Sequence, residues 1–145
     1  MPPDATDSGS TPRLSIVVLA GDYERVHYAL IMASGAAAVG TPVTLFFTMG
    51  GVRALLADRG WRSLRPGEHG DPEARDTGFQ RRGIAGFDEL MESCGAMGVR
   101  FMVCETGLRA EDVGADQLRD DLPVEIGGVV GFLADAGPRG RLLFV

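Results

Sequence analysis

Two cysteines, two histidines and several glycine-flanked carboxylates and arginines are the residues of this 145-residue chain that could do chemistry. Cys104 is the most pointed of them, because it ends the apolar run Arg100 to Cys104 and is followed at once by the polar Glu105-Thr106-Gly107. A thiol at the mouth of a strand, facing the start of the next helix, is placed for a depressed pKa and thus for nucleophilic sulfur chemistry. Glu105 opposes that shift by charge repulsion, and Arg109, one turn on, offsets it. Cys94 instead falls on a stripe with Phe87, Leu90 and Met91 at helical spacing, which makes it a core residue. The helix carrying it runs antiparallel to the strand that ends in Cys104, so Cys94 lies ~5 Å and Cys104 ~17 Å above the bottom of the sheet, and a layer spacing of ~10 Å separates their Cα atoms further. A disulfide needs Cα atoms within about 7 Å.

No metal site is expected. Two histidines, two distant cysteines and the absence of a CxxC pair do not make a ligand set. His27 points to the same end of the sheet as Cys104 and is a candidate second-shell proton partner, while His69 lies in an irregular stretch. No glycine loop reads GxGxxG or ends in Lys-Ser or Lys-Thr, so no nucleotide fingerprint is present and no cofactor is expected. All 14 basic residues are arginines, which excludes lysine nucleophiles, and the net charge of −6 argues against a nucleic-acid partner.

The elements that must hold these residues are legible as alternating apolar runs and amphipathic segments. Leu14 to Ala20, Pro42 to Thr48 and Val99 to Cys104 read as buried strands, followed by a short edge at Pro123 to Gly128 and a last strand at Arg141 to Val145. Asp22 is placed to cap a helix with Tyr23, Val26, His27, Leu30 and Ile31 on one face. Further helices are expected from Gly50 to Gly60, from Phe87 to Gly98, between Leu108 and Asp121, and at Gly128 to Ala136. Alternation of this kind specifies a three-layer α/β domain: a flavodoxin-like, doubly wound parallel sheet of about five strands, spanning residues 14–145. Residues 1–13 read as a disordered tail with no apolar signal segment, and residues 60–83, rich in glycine, proline and charge, as a mobile loop. The uncharged run from Ala29 to Val52 is broken at Gly40-Thr41-Pro42, so helix, turn and strand are expected there and membrane association is not.

Ligands of an open parallel sheet collect beyond the carboxyl ends of its strands. The residues expected there are Gly21, Asp22 and Tyr23; Met49, Gly50 and Gly51; Glu105, Thr106, Gly107 and Arg109; and Gly127 and Gly128. They form either the environment of a Cys104 thiolate or a glycine-lined crevice for a small ligand.

Three stretches resemble one known family. "LSIVVLAGDYERVHYALIMASGAAAVGTPVTLFFTMGGV", "FDELMESCGAMGVRFMVCETGLRAEDVG" and "VEIGGVVGFLADA" are similar to the DsrE/DsrF-like sulfur-relay proteins, in the branch labelled peroxiredoxin-like, although the peroxiredoxin Thr-x-x-Cys motif is absent. The resemblance implies a parallel α/β fold, a homo-oligomer, and a cysteine matching Cys104 that accepts sulfur as a persulfide, as a carrier or sulfurtransferase. It also implies a TusA-like carrier or a sulfurtransferase as partner, and the two-cysteine composition fits a reducing cytoplasm. The alternative is a non-catalytic small-ligand or regulatory binding protein using the glycine-lined crevice.

Overall fold

The computed structural model describes residues 11–145. The greater part of the expected N-terminal tail, residues 1–10, lies outside the described residues. Five strands, β1 (Leu14–Val18), β2 (Val43–Phe47), β3 (Arg100–Cys104), β4 (Val124–Gly127) and β5 (Arg141–Phe144), form one sheet in the order β4-β3-β2-β1-β5. Every pairing is parallel. The class, strand number and layering agree with the sequence. The winding reverses between β1 and β5, whereas flavodoxin's own order, 2-1-3-4-5, reverses between β1 and β3.

Parallel strands need crossovers, and the crossovers supply the covering layers. Helix α1 (Tyr23–Ala38) is capped by the Asp22 carboxylate, which accepts from the Arg25 N–H at 3.2 Å. It packs beside α3 (Phe87–Ala96) on one face of the sheet. Ile16, Val18, Leu45, Phe47, Phe101 and Val103 point into this face and join Val26, Leu30, Leu90, Met91 and Cys94 in the main core. The alternate residues Val17, Phe46, Met102 and Cys104 face the other way. There, among the described residues, they meet one buried side chain, Phe132, from α5 (Val129–Ala136).

Residues 60–83 correct the expectation of a segment without regular structure. They contain a 3-10 turn at Gly60–Ser63 and helix α2 (Pro72–Arg81), whose N-terminus is set by Pro72 in the first turn and by Asp71 accepting from the Ala74 N–H at 2.7 Å. Trp61 and Leu64 are buried in the main core. The segment from Met49 to Leu55 is likewise a 3-10 helix, and in place of a helix between Leu108 and Asp121 there is a short α4 that starts earlier (Glu105–Ala110) and a 3-10 turn at Ala115–Gln117. Among the described residues no helix is long and apolar enough to cross a membrane.

Candidate functional site

Cys104 is the last residue of β3, and the register places it between two neighbours. Thr48 follows the Phe47–Val103 pair on β2 by one residue, and Gly127 pairs with Cys104 from β4. Strand alternation sends the Cys104 side chain to the α5 face, where Val17, Phe46, Met102 and Phe132 surround it. The Phe132 ring stacks on Phe46 at 4.4 Å between centroids and 10° between planes. The residue is only 2% exposed, so the thiol is covered rather than open at the strand mouth.

Burial in this apolar cluster pushes the Cys104 thiol up, and the polar groups at its other end more than reverse the effect. The Gly107 N–H, the Thr48 hydroxyl, and the N–H and hydroxyl of Thr106 all stabilise the anion, leaving the thiol below its ordinary value. The Cys104 side chain makes no capping hydrogen bond to α4. Gly107 is required here by space: a Cβ on it would stand 2.6 Å from the Met49 nitrogen and 3.0 Å from the Thr48 Cα. Its missing side chain lets the start of α4 close on the end of β2, bringing Thr48 and Gly107 to one sulfur.

The other expected site residues have different tasks. Asp22 caps α1, and Tyr23 is buried in the main core, on the opposite side of the sheet from Cys104. Gly21 and Gly50 touch backbone to backbone, and Gly51 lies so close to the Val18 carbonyl that a Cβ would stand 2.2 Å from its oxygen. These glycines seat the Met49–Leu55 turn on β1, with Met49 itself at φ 47°. They do not line a crevice, because the space they free is filled by main chain. Glu105 and Arg109 are exposed, and Gly128 stands at the N-cap of α5.

His27 does not reach Cys104, which corrects its assignment as a proton partner. Its Nε2 lies 2.9 Å from the Ala85 carbonyl oxygen, an acceptor only, so that nitrogen carries the proton and donates. Its ring packs 4.6 Å from Phe79 and 5.5 Å from Tyr23. Cys94 is buried and free, and burial pushes its thiol up to about 11. Among the described residues no group of three His, Cys, Asp or Glu side chains could hold a metal ion.

Phe132 is what the reading of residue types missed, and Thr48 was placed at the strand mouth without a role. Thr48 was visible only as the end of a strand, and its relevance follows from the β2–β3 register. Phe132 follows from the winding order, which lays α5 across the face opposite α1 and α3.

A five-stranded parallel α/β domain with a covered, hydroxyl-flanked cysteine at one strand end is the class that fold and site define. Residues 10–66 match the model of the DsrE/DsrF/DrsH-like family. The chain is 27% identical over 158 aligned positions to the uncharacterised protein YrkE of Bacillus subtilis (strain 168), covering 93% of this chain and 98% of that one. The fold is similar to MTH1491 from Methanobacterium thermoautotrophicum, a protein of unknown function, with a TM-score of 0.62 at 16% identity over 92% of this chain and 98% of that one. It is also similar to the ychN protein of E. coli, with a TM-score of 0.57 at 17% identity over 92% and 99% of the two chains. The chain is thus similar to DsrE/DsrF-like proteins over residues 10–66, in line with the resemblance of its motifs, and shares the fold of the two solved structures. The span matched by the family model ends before Cys104, so the role of that residue rests on its own surroundings.

Proposed function

We propose that this protein is a cysteine-based sulfur carrier in which Cys104 accepts and passes on persulfide sulfur within an intracellular relay. The observation that carries the reading is the convergence of the Thr48 hydroxyl, the Thr106 N–H and hydroxyl, and the Gly107 N–H on one sulfur whose thiol they hold below its ordinary value despite burial. In the transfer the Cys104 thiolate attacks the outer sulfur of a donor persulfide. One S–S bond forms, the donor's S–S bond breaks, and the donor leaves as a thiolate. No net oxidant is consumed, and the product is a persulfide anion that the same groups stabilise. The DsrE/DsrF-like similarity supports the reaction class, and the free state of both cysteines fits a reducing compartment such as the cytoplasm. A TusA-like carrier or a sulfurtransferase is the partner the family resemblance implies. The competing small-ligand reading is weakened, because Gly21, Gly50, Gly51 and Gly107, four of the six glycines expected to line its crevice, are packed against main chain.

Intact mass after incubation with a persulfide donor tests the reading. Wild type gains about 32 Da per sulfur atom, reversed by dithiothreitol. Cys104→Ser abolishes the gain and Cys94→Ser keeps it. Equal loading of wild type and Cys104→Ser would overturn the assignment.

A further inference from the structure

On the side of the sheet opposite Cys104, α1 packs over β1 and β2 and leaves the edge strand β5 beside it. Between the C-terminal half of α1 and β5 lies a cleft of about 790 Å³, a volume in the range of small-molecule sites. Its floor is apolar, with Leu14 and Leu143 from the strands and Ile31 and Ala36 from the helix all packed on the main core. Gly35 stands in the helix wall, and a Cβ there would have nothing within 4 Å. Glycine inside a helix is disfavoured against alanine, and no neighbouring atom of the chain requires this one, so the space beside it is left open. The charges of the lining are one-sided. The chain has 20 acidic residues against 14 arginines, yet no Asp or Glu lines the cleft, and Arg13, Arg139 and Arg141 do. The Arg13 side chain is turned to the other face, where it pairs with Asp135 at 3.7 Å and donates to Thr44. Arg141 pairs with Leu14 in the β1–β5 register, so its side chain shares the face of Leu14 and of the cleft. Among the described residues Arg141 takes part in no salt bridge. Arg139 lines the same end from the turn that leads into β5.

We propose that this cleft binds an anionic single-chain amphiphile, of the class of a medium-chain fatty carboxylate, with the carboxylate on Arg141 and Arg139 and the alkyl chain laid along α1. The planar guanidinium fork matches the two oxygens of a carboxylate. Arg141 is the first residue of β5, and α1 runs antiparallel to the strands, so the arginine end of the cleft is also where α1 ends. From there the chain passes Leu143 and continues toward Ile31. Between Val39 and Ile31 the helix spans ~12 Å, the length of roughly ten alkyl carbons at bonds of ~1.5 Å. The carbonyl end of α1 opposes an anion with about half an elementary charge, which the full charge of Arg141 exceeds. The inference does not depend on the sulfur chemistry, which the mass assay reads separately.

Calorimetric titration of the full chain with monomeric decanoate tests it. Wild type is expected to bind decanoate saturably, with a Kd below about 1 mM. Butyrate, which has the head group without the chain, and decylammonium, which has the chain with the opposite charge, are each expected to bind at least about tenfold more weakly. Arg141→Gln is expected to weaken decanoate about tenfold or more. Gly35→Leu places a side chain in the open cleft and is expected to abolish binding, with the helix kept because leucine favours it and an unchanged circular dichroism spectrum as the check. Sulfur loading of Cys104 should be unaltered in both variants. Absence of saturable decanoate binding to wild type would overturn the proposal, as would wild-type affinity in either variant or equal affinity for decylammonium. Binding to phosphatidylglycerol vesicles without binding of free decanoate would also overturn it, in favour of a lipid surface.

Discussion

Thr48 contributes a hydroxyl that no backbone group can replace, which makes it the sharpest probe of the thiolate. Thr48→Val keeps the shape and removes the donor, so the Cys104 thiol rises toward its ordinary value. We expect the pH midpoint of Cys104 alkylation to move up and the rate at neutral pH to fall by about threefold to tenfold, with Thr48→Ser close to wild type. An unchanged midpoint in Thr48→Val would show that the amides and Thr106 alone set the thiol. His27 makes a separate prediction about stability. Burial pulls its pKa below the ordinary value, with the Ala85 carbonyl and Asp76 opposing more weakly. The unfolded chain therefore binds a proton that the folded one resists, so stability is fully present above the unfolded value of about 6.5 and is lost as pH falls from there. The melting temperature should drop between about pH 7 and pH 5, and His27→Gln should flatten that slope. An equally steep slope in the variant would assign the effect to other groups.

Helix α2 is the element whose placement explains most about residues 60–83. Its Asp76 is buried and accepts three hydrogen bonds, from the Tyr23 hydroxyl at 2.5 Å, the Phe87 N–H at 2.7 Å and the Gln80 amide at 2.8 Å. It thereby ties α2 to the start of α1 and the start of α3. Asp76→Ala leaves a buried hydroxyl and a buried amide without partners, a cost of about 2–4 kcal/mol. Hydrogen exchange should rise across Trp61 to Phe79 in that variant, and unaltered protection there would mean that Trp61 and Leu64 hold the segment alone. The strands were legible because each is a continuous apolar run, and α1 because its cap and stripe agree. α2 was not, because its composition is charged and its main anchors are one carboxylate and Phe79. The local signal was the Asp71-Pro72 start, a cap followed by a first-turn proline. The candidate site was legible at Cys104, Thr106 and Gly107, which are contiguous, and not at Thr48 or Phe132, which only pairing register and winding order bring near.

At the scale of the whole molecule, the unequal faces make α5 the part of the structure that can open without the rest. The face carrying α1 and α3 holds the large core, in which Trp61, Tyr23, Phe47, Phe87 and Phe101 are fully buried. The α5 face rests on Phe132 and, at the far end of the helix, on Asp135, which accepts from the Thr44 hydroxyl at 2.8 Å and pairs with Arg100 and Arg13. Removing the Phe132 ring should therefore act on the cover of Cys104 before it acts on the fold. Phe132→Ala is expected to cost about 3 kcal/mol. If that cost falls on the local opening of α5, Cys104 alkylation accelerates by about two orders of magnitude. Leu45→Ala, a comparable loss in the opposite core, lowers the melting temperature without exposing the thiol locally. The same acceleration in both variants would mean that Cys104 is reached only through global unfolding. Acceleration confined to Phe132→Ala, at a denaturant concentration well below the unfolding midpoint, identifies α5 as the element that must move for the thiol to meet a sulfur donor.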